Sequence, residues 1–503
     1  MIYPIGQQDF ASIRNGGFVY VDKTDLVYKM AKEGKFYFLS CPRRFGKSLL
    51  LSTLKNYLLG NKELFRGLVI EQKETEWQQY PVLTLTLNRG DFPSLDILQE
   101  ELDTQISRWE TVYHCSVKKS LAGRFSNVIY NAYQQTGKQV VILIDEYDAP
   151  FQAALDKPEL MEQYQRLLRD IYLCLKNNDD YIRFAMLTGI TAWVKVGVFS
   201  ALNNLKNISM HSAYATLCGI TEEELHKVFP ESVAQLAAKY KMTVEEAYGR
   251  LKEQYDGYHF SKDSVGLYNP FSLLNALEEK SFDNYWIESG RTRVITTLVQ
   301  HKRVDISALM NKVEARPTSL RNLENVNENV IPYLYHAGYL TIKNYSEARD
   351  TFVLQVPNTE VRESLGEHLI AFTFGLEEDK SLQFRSDLRE ALYNENIQEA
   401  VDLINTHVFY HGHHHAMGDK EVYCQTNLAM LFRVIGYETE VEKASAKGSA
   451  DIVVKTPRHI YIFEIKLNGT ARQALQQINA TGYATPYKED TRKVIKVGLS
   501  FSE

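Results

Sequence analysis

The chain has 503 residues and a net charge of −6, and is 44% hydrophobic and 24% charged. That length suits about three domains, the balance is that of ordinary soluble globular protein, and the net negative charge excludes a globally basic nucleic-acid coat while leaving room for a local basic groove. The five cysteines (41, 115, 174, 218 and 424) form no C-x-x-C pair, which argues against a zinc centre or a disulfide framework and for a reducing, cytoplasmic setting.

In chain order, the opening MIYPIGQQDF has no charged segment followed by an apolar core, and no later apolar run approaches a membrane span. KFYFLS (35–40) is a short buried strand. LLLSTLKNYLL after residue 48 has helical spacing, and PVLTLTL (81–87) alternates as a second strand. QVVILI (139–144) and IRFAMLT (182–188) are continuous apolar runs of the kind found in parallel strands covered on both faces. Strands separated by helical stretches predict an α/β sheet up to about residue 220. Residues 221–256 are helix-favouring and begin with TEEEL. VIPYLYHAGYL, LTIKNY and TFVLQV predict a helix followed by a hairpin, a winged-helix-like arrangement, and 386–405 is helical. The tail returns to strands at 450–456, 459–467 and 492–501, with a helix at ARQALQQINATGY.

Residues 41–48, CPRRFGKS, end as a phosphate-binding P-loop does, with Cys41 where the first glycine is usual. The context is strand, loop, helix. Backbone N–H groups at a helix start can surround phosphates, Lys47 supplies a mobile charge, and Ser48 can ligate Mg²⁺. The segment Arg43-Arg44-Phe45-Gly46-Lys47-Ser48-Leu49 is therefore the expected nucleotide contact. Cys41 fits if its φ is negative. Downstream, VVILIDEYD (140–148) has the Walker B form: a buried strand carries Asp145 toward Mg²⁺, and Glu146 can orient or deprotonate a water. Thr188 closes the third strand where a sensor would touch the γ-phosphate. The roughly hundred-residue gap from Lys47 to Asp145 leaves room for one extra strand, 81–87, as in the ATPase branch with an inserted strand and a catalytic Glu.

The second constellation is Asp451, then twelve residues, then Glu464-Ile465-Lys466. Alternation puts Glu464 and Lys466 on one face of a strand. An Asp and a Glu across two strands can hold a divalent metal through oxygen, and Lys466 can position or deprotonate a water. This is the D…(D/E)xK chemistry of metal-dependent nucleases. Residues 441–503 carry ten Lys/Arg against six Asp/Glu, opposite in sign to the whole chain. Glu421 opens a helical stretch where a further acidic metal ligand often sits, and Gln477 and Tyr483 lie on and after a helix within reach of phosphate or metal water. HGHHH (411–415) reads as a solvated loop, with a metal site as the alternative. YDGYHF, YNPF and YWIESG read as packing aromatics, with base stacking as the alternative.

CPRRFGKSLL, VVILIDEYDAP, LTGITAW, YDGYHF, YNPFSLL, YWIESG, HAGYLTI, VPNTEVR, ADIVV and YIFEIKLNGTARQALQQINATGYATPY together resemble a bacterial family that joins an AAA-ATPase-like, STAND-related P-loop domain to a C-terminal PD-(D/E)XK nuclease domain. The resemblance implies an ATPase core over 1–220, a helical lid and winged-helix-like region over 221–375, and a restriction-endonuclease-like α/β domain over 376–503. In that family the loop reads xPRRFGKS, so Cys41 is no sign of decay. By resemblance, Lys47 and Ser48 take phosphate and Mg²⁺, Asp145 and Glu146 are the Walker B pair, and Asp451, Glu464, Lys466 and Gln477 form the nuclease core, with Glu421 the least diagnostic. ATP and Mg²⁺ are the implied cofactors and nucleic acid, DNA favoured, the implied partner. The alternatives are a signalling NTPase whose tail only binds nucleic acid or protein, and a scaffold with a degenerate loop. An arginine finger is not identified: Arg183, Arg291, Arg293 and Arg362 are candidates, and a homo-oligomer would let a neighbouring subunit supply it.

Overall fold

The computed structural model describes residues 1–88, 92–116, 118–191, 204–286, 312–320, 329–409, 420–445 and 448–501. Its described residues divide into two compact units, one drawn from 1–290 and 314–358, the other from 291–313 and 359–503.

The first unit is built on a parallel sheet. Its strands are β1 (Phe36–Ser40), β2 (Val82–Thr86), β3 (Val140–Asp145), β4 (Ile182–Gly189) and β5 (Lys206–Asn207), ordered β2-β3-β4-β1-β5. Every residue of β1 and β3 is buried, as continuous apolar runs require when helices cover both faces. The strand inserted between β1 and β3 is β4, and the 81–87 run forms β2 at the sheet edge beyond β3. Sequence separation therefore misplaces the insertion, because parallel neighbours are joined by crossovers and need not follow one another along the chain. The β1–β4 register pairs Leu39 with Thr188 and Ser40 with Gly189, so the carboxyl ends of β1, β3 and β4 lie side by side. Ligands of open α/β sheets collect at this edge.

A helical region follows. The short pair β6 (Ile220–Thr221) and β7 (Leu267–Tyr268) brackets helices Glu222–Val228, Pro230–Tyr240 and Val244–Tyr255, and helix Pro270–Glu279 comes next. Thr221 with Glu224 and Thr243 with Glu246 form complete capping boxes, which is what the TEEEL signal encodes. In YNPFSLL, Asn269 caps the next helix through its side chain and Pro270 starts it. Leu225, Phe229, Val233, Leu236, Leu251, Tyr255 and Leu273 make a buried core between these helices. The expected helix and hairpin are present as Ile331–Ala337 and a three-stranded sheet. That sheet comprises β8 (Val313–Ala315), β9 (Thr341–Ser346) and β10 (Thr351–Gln355), in the order β8-β10-β9.

The second unit carries helices Thr359–Phe374, Glu378–Tyr393, Ile397–Ile404 and Lys420–Val434 and a four-stranded mixed sheet. β11 (Glu438–Ser445), β12 (Gly448–Lys455) and β13 (His459–Leu467) are antiparallel neighbours, and β14 (Lys493–Phe501) runs parallel to β13 after helix Ala471–Thr481. β11 was not expected. Its sequence, ETEVEKAS, has almost no apolar alternation, and it lies at the sheet edge, where charges protect open hydrogen-bonding groups.

Candidate active sites

At the first site, residues 41–46 turn from β1 into helix Lys47–Leu58. Gly46 has φ +96° and its Cβ direction is open, so the demand for glycine there is conformational. Arg44 is also left-handed at φ 66°, whereas Cys41 is not among the positive-φ residues, which meets the condition set for it. No side chain caps the helix start, so its first N–H groups are available to an anion. Lys47 is buried, and its Nζ donates to the carbonyls of Cys41 and Pro42, each at 2.8 Å. Phe45 is an anchor: its ring is buried and meets Tyr258 and Phe260 edge-on at 4.8 and 5.2 Å. The YDGYHF aromatics thus pack beneath the loop, burying a ring for about 2–3 kcal/mol. On another side, Gly338 (φ +90°) approaches Pro42 so closely that a Cβ would lie 2.7 Å from it. Arg44 stacks over Phe271 at 4.5 Å, and Arg43 Nη2 donates to Gln152 Oε1 at 3.1 Å. Ser48 and Leu49 occupy the first turn of the helix and are half-buried.

The carboxylates face this loop. Asp145, at the end of β3, is 6% exposed, and Thr188 donates its hydroxyl to Asp145 Oδ1 at 2.6 Å. Glu146 sits in left-handed backbone at φ 52°, a strained conformation that aims the residue away from the strand line. Burial, then the charge of Asp145, pushes its carboxyl above the usual range, against the pull of Lys47 and Arg43. Those influences place Lys47, Arg43, Asp145 and Glu146 in one electrostatic neighbourhood.

In the second unit, the β12–β13 register that pairs Ile452 with Phe463 sets Asp451 opposite Glu464. Asp451 Oδ2 accepts from the Ile465 backbone N–H at 2.7 Å, and Gln425 donates to the Asp451 carbonyl at 3.1 Å. Lys466 Nζ donates to Glu464 Oε1 at 3.0 Å. Glu464 is 1% exposed and its Oε2 has no hydrogen-bond partner. Burial raises its pKa, with Asp451 adding to the rise and Lys466 and the Gln477 amide opposing it. An orphaned buried carboxylate oxygen beside a second carboxylate is costly unless a cation completes it, and these hard oxygen donors fit a magnesium-like ion. The two strands and the helix Ala471–Thr481 therefore bring Asp451, Glu464, Lys466 and Gln477 together.

The model of the family described as predicted AAA-ATPase matches residues 4–199, and that of the PD-(D/E)XK nuclease superfamily matches residues 419–503. A protein of Azotobacter chroococcum mcd 1, described as an uncharacterized protein in the vnfD 5′ region, is 33% identical over 512 residues, covering 99% of this chain and 96% of the relative. The chain belongs to the AAA-ATPase-like family with a C-terminal PD-(D/E)XK domain. In this AAA-ATPase-like protein, Glu421 lies on helix Lys420–Val434, which packs against β12 and β13. Among the described residues no three His, Cys, Asp or Glu side chains converge as a metal-binding group. Tyr483 is buried with Ile478, Tyr487 and Ile462 in the core of that domain. The run 411–415 and Arg291 and Arg293 lie outside the described residues. Arg183 sits at the amino end of β4, five residues and so about 16 Å from Thr188 along the strand. It donates there to the Ala31 carbonyl, which removes it as a finger for this site. Arg362 belongs to the second unit and is partly desolvated by burial, which lowers its pKa.

Sequence reasoning missed Asp148. It is fully buried and accepts from Ile190 N (3.2 Å), Thr191 N (2.7 Å), the Thr191 hydroxyl and Gln152 Nε2 (2.9 Å), tying the segment after β3 to the end of β4. The second aspartate of DEYD was the available signal. No helix among the described residues is long and apolar enough to cross a membrane.

Proposed function

We propose that this protein binds and hydrolyses ATP at the 41–48 loop and couples that cycle to cleavage of phosphodiesters in DNA or RNA at the Asp451–Glu464–Lys466 cluster, with magnesium at both sites. What carries the reading is that each unit sets a lysine near paired carboxylates, and that one of those carboxylates, Glu464, keeps a buried oxygen without a donor. The working division is an ATPase core over 1–220, a helical lid and winged-helix-like region over 221–375, and a nuclease-like domain over 376–503.

At the first site, the uncapped helix start and the left-handed Arg44 and Gly46 direct main-chain N–H groups toward a triphosphate. Lys47 exchanges its two carbonyl partners for phosphate oxygens. Ser48 and Asp145 would hold magnesium, with the Thr188 hydroxyl fixing the Asp145 carboxylate. The metal, when bound, neutralises phosphate charge. Glu146, whose raised pKa brings it closer to working pH, orients the attacking water and takes its proton. At the second site Asp451 and Glu464, with Glu421 as a further candidate, would hold a divalent ion that supplies Lewis-acid chemistry. Lys466 steadies the charge growing on phosphate, and Gln477 orients Glu464. Coupling through ATP-dependent ordering of the loop is the regulatory part of the proposal.

The test is a double dissociation. Lys47→Ala is expected to abolish ATP binding, and Lys466→Ala to spare it while removing cleavage. Cleavage is assayed on plasmid, linear and single-stranded substrates with Mg²⁺ or Mn²⁺, with ATP, with a non-hydrolysable analogue, and without nucleotide. Wild-type protein that cuts no DNA or RNA under any of these conditions would sink the nuclease half.

A further inference from the structure

The loop holds two adjacent arginines, and the fold treats them differently. Arg44 turns away in left-handed backbone and lies against the Phe271 ring. Arg43 points to the carboxylate side: its charge acts on Glu146, and its Nη2 is held by Gln152 Oε1 at 3.1 Å. Gln152, 9% exposed on the short helix Ala149–Ala153, passes its own amide to Asp148 Oδ2 at 2.9 Å. Asp148 is locked to the end of β4 by the Ile190 and Thr191 backbone amides. The guanidinium is thus placed by a buried relay that starts on the sheet itself. A fixed position is what separates a transition-state group from a mobile surface arginine.

We propose that Arg43 is this protein's own arginine finger, acting in cis, and that Gln152 and Asp148 are its positioning residues. The inference rests on the ATP reading above. In the step concerned, a water oxygen bonds to the γ-phosphorus and its proton passes to the Glu146 carboxylate. The bond from the γ-phosphorus to the bridging oxygen breaks, its electron pair leaving with ADP. Arg43 meets the charge that grows on the bridging and equatorial oxygens, in the role an arginine finger plays elsewhere.

The experiment compares wild-type full-length chain with Arg43→Ala, Arg43→Lys and Gln152→Met. Calorimetry measures Mg²⁺ with a non-hydrolysable ATP analogue, and separately Mg²⁺ with ADP and aluminium fluoride, which mimics the transition state. Steady-state hydrolysis gives kcat and KM. Arg43→Ala should weaken the fluoride complex and lower kcat by about 100-fold or more, with analogue affinity and KM within about threefold. Arg43→Lys should recover little, because an ammonium lacks the planar fork. Gln152→Met, which keeps the shape and loses the relay, should show the same split at about tenfold. Fluoride-complex affinity in Arg43→Ala within about threefold of wild type overturns the inference, as does an equal loss of both affinities, which would make Arg43 a ground-state phosphate ligand. Wild-type protein that binds neither nucleotide overturns the ATP reading itself, and the inference with it.

Discussion

At the 41–46 loop the charges are already met by protein: Lys47 by two carbonyls, Asp145 by Thr188, Asp148 by four donors, Arg43 by Gln152. In the second unit Lys466 answers one oxygen of Glu464 and the other has no donor. Both solutions place ionised groups on strands of a sheet, but they bear the desolvation cost differently. The first site is closed onto itself, and a ligand must exchange internal partners for its own. The second keeps a buried carboxylate oxygen without a donor, which a cation would complete at little structural cost. The first arrangement suits a switch and the second a standing metal site.

The strongest way to break this contrast is at Asp148. If the first site is held by internal saturation, Asp148→Ala orphans two backbone amides, a hydroxyl and the Gln152 side chain. Each buried orphan costs about 1–3 kcal/mol, partly relieved by water, so a loss of about 4 kcal/mol is expected. Scanning calorimetry should show a melting transition lower by about 10 °C. A drop of less than about 2 °C would mean that the network does not hold this edge together.

The opposite sign is expected in the second unit. Glu464→Gln removes a buried charge while keeping its shape and an acceptor for Lys466. The metal-free protein should gain about 1 kcal/mol, seen as a melting temperature higher by a few degrees in chelator. The same variant should lose any stabilisation by added Mg²⁺ or Mn²⁺. A metal-free variant less stable than wild type would show that Glu464 is satisfied as it stands and would erase the contrast.

The two sites were unequally legible from sequence. Strands announced by long apolar runs fell within a residue or two of expectation, β3 at Val140–Asp145 against 139–144 and β13 at His459–Leu467 against 459–467. Burial on both faces imposes such runs, and few other structures produce them. The pairing of Asp451 with Glu464 was readable because adjacent antiparallel strands joined by a short turn leave little choice of register. The order of the parallel sheet was not, since crossovers decide which strand lies beside β1. Asp148 and Gln152 escaped for a related reason: their partners, Thr191 and Arg43, are distant in sequence and meet them only through that order. Tyr483, expected within reach of phosphate or metal water, is buried among Ile462, Ile478 and Tyr487, packing that the residue's place after a helix does not announce. β11 gave no signal, because an edge strand guarded by charge looks like a loop.

The smallest effect lies in the pH dependence of stability, where two buried glutamates act in opposite directions. In Glu74, burial raises the pKa, but hydrogen bonds from Tyr57, Lys32 and the Glu76 backbone outweigh it and bring the pKa down to about 2. Its stabilising contribution is therefore complete above its unfolded value of 4.5 and is lost only as the pH falls from there toward 2. It is flat between about pH 5 and 7. In Glu464, burial raises the pKa above 4.5, so its folded state binds a proton more readily than its unfolded state. That contribution is present at low pH and is lost as the pH rises through the folded value. In chelator, the second unit of wild-type protein should thus gain stability on going from about pH 7 to 5. Glu464→Gln should remove that gain. Melting curves with the same slope over this pH range in the variant and in wild type would place the Glu464 carboxylate in a solvated, satisfied environment. They would also return the nuclease-like site to the saturated class of the first.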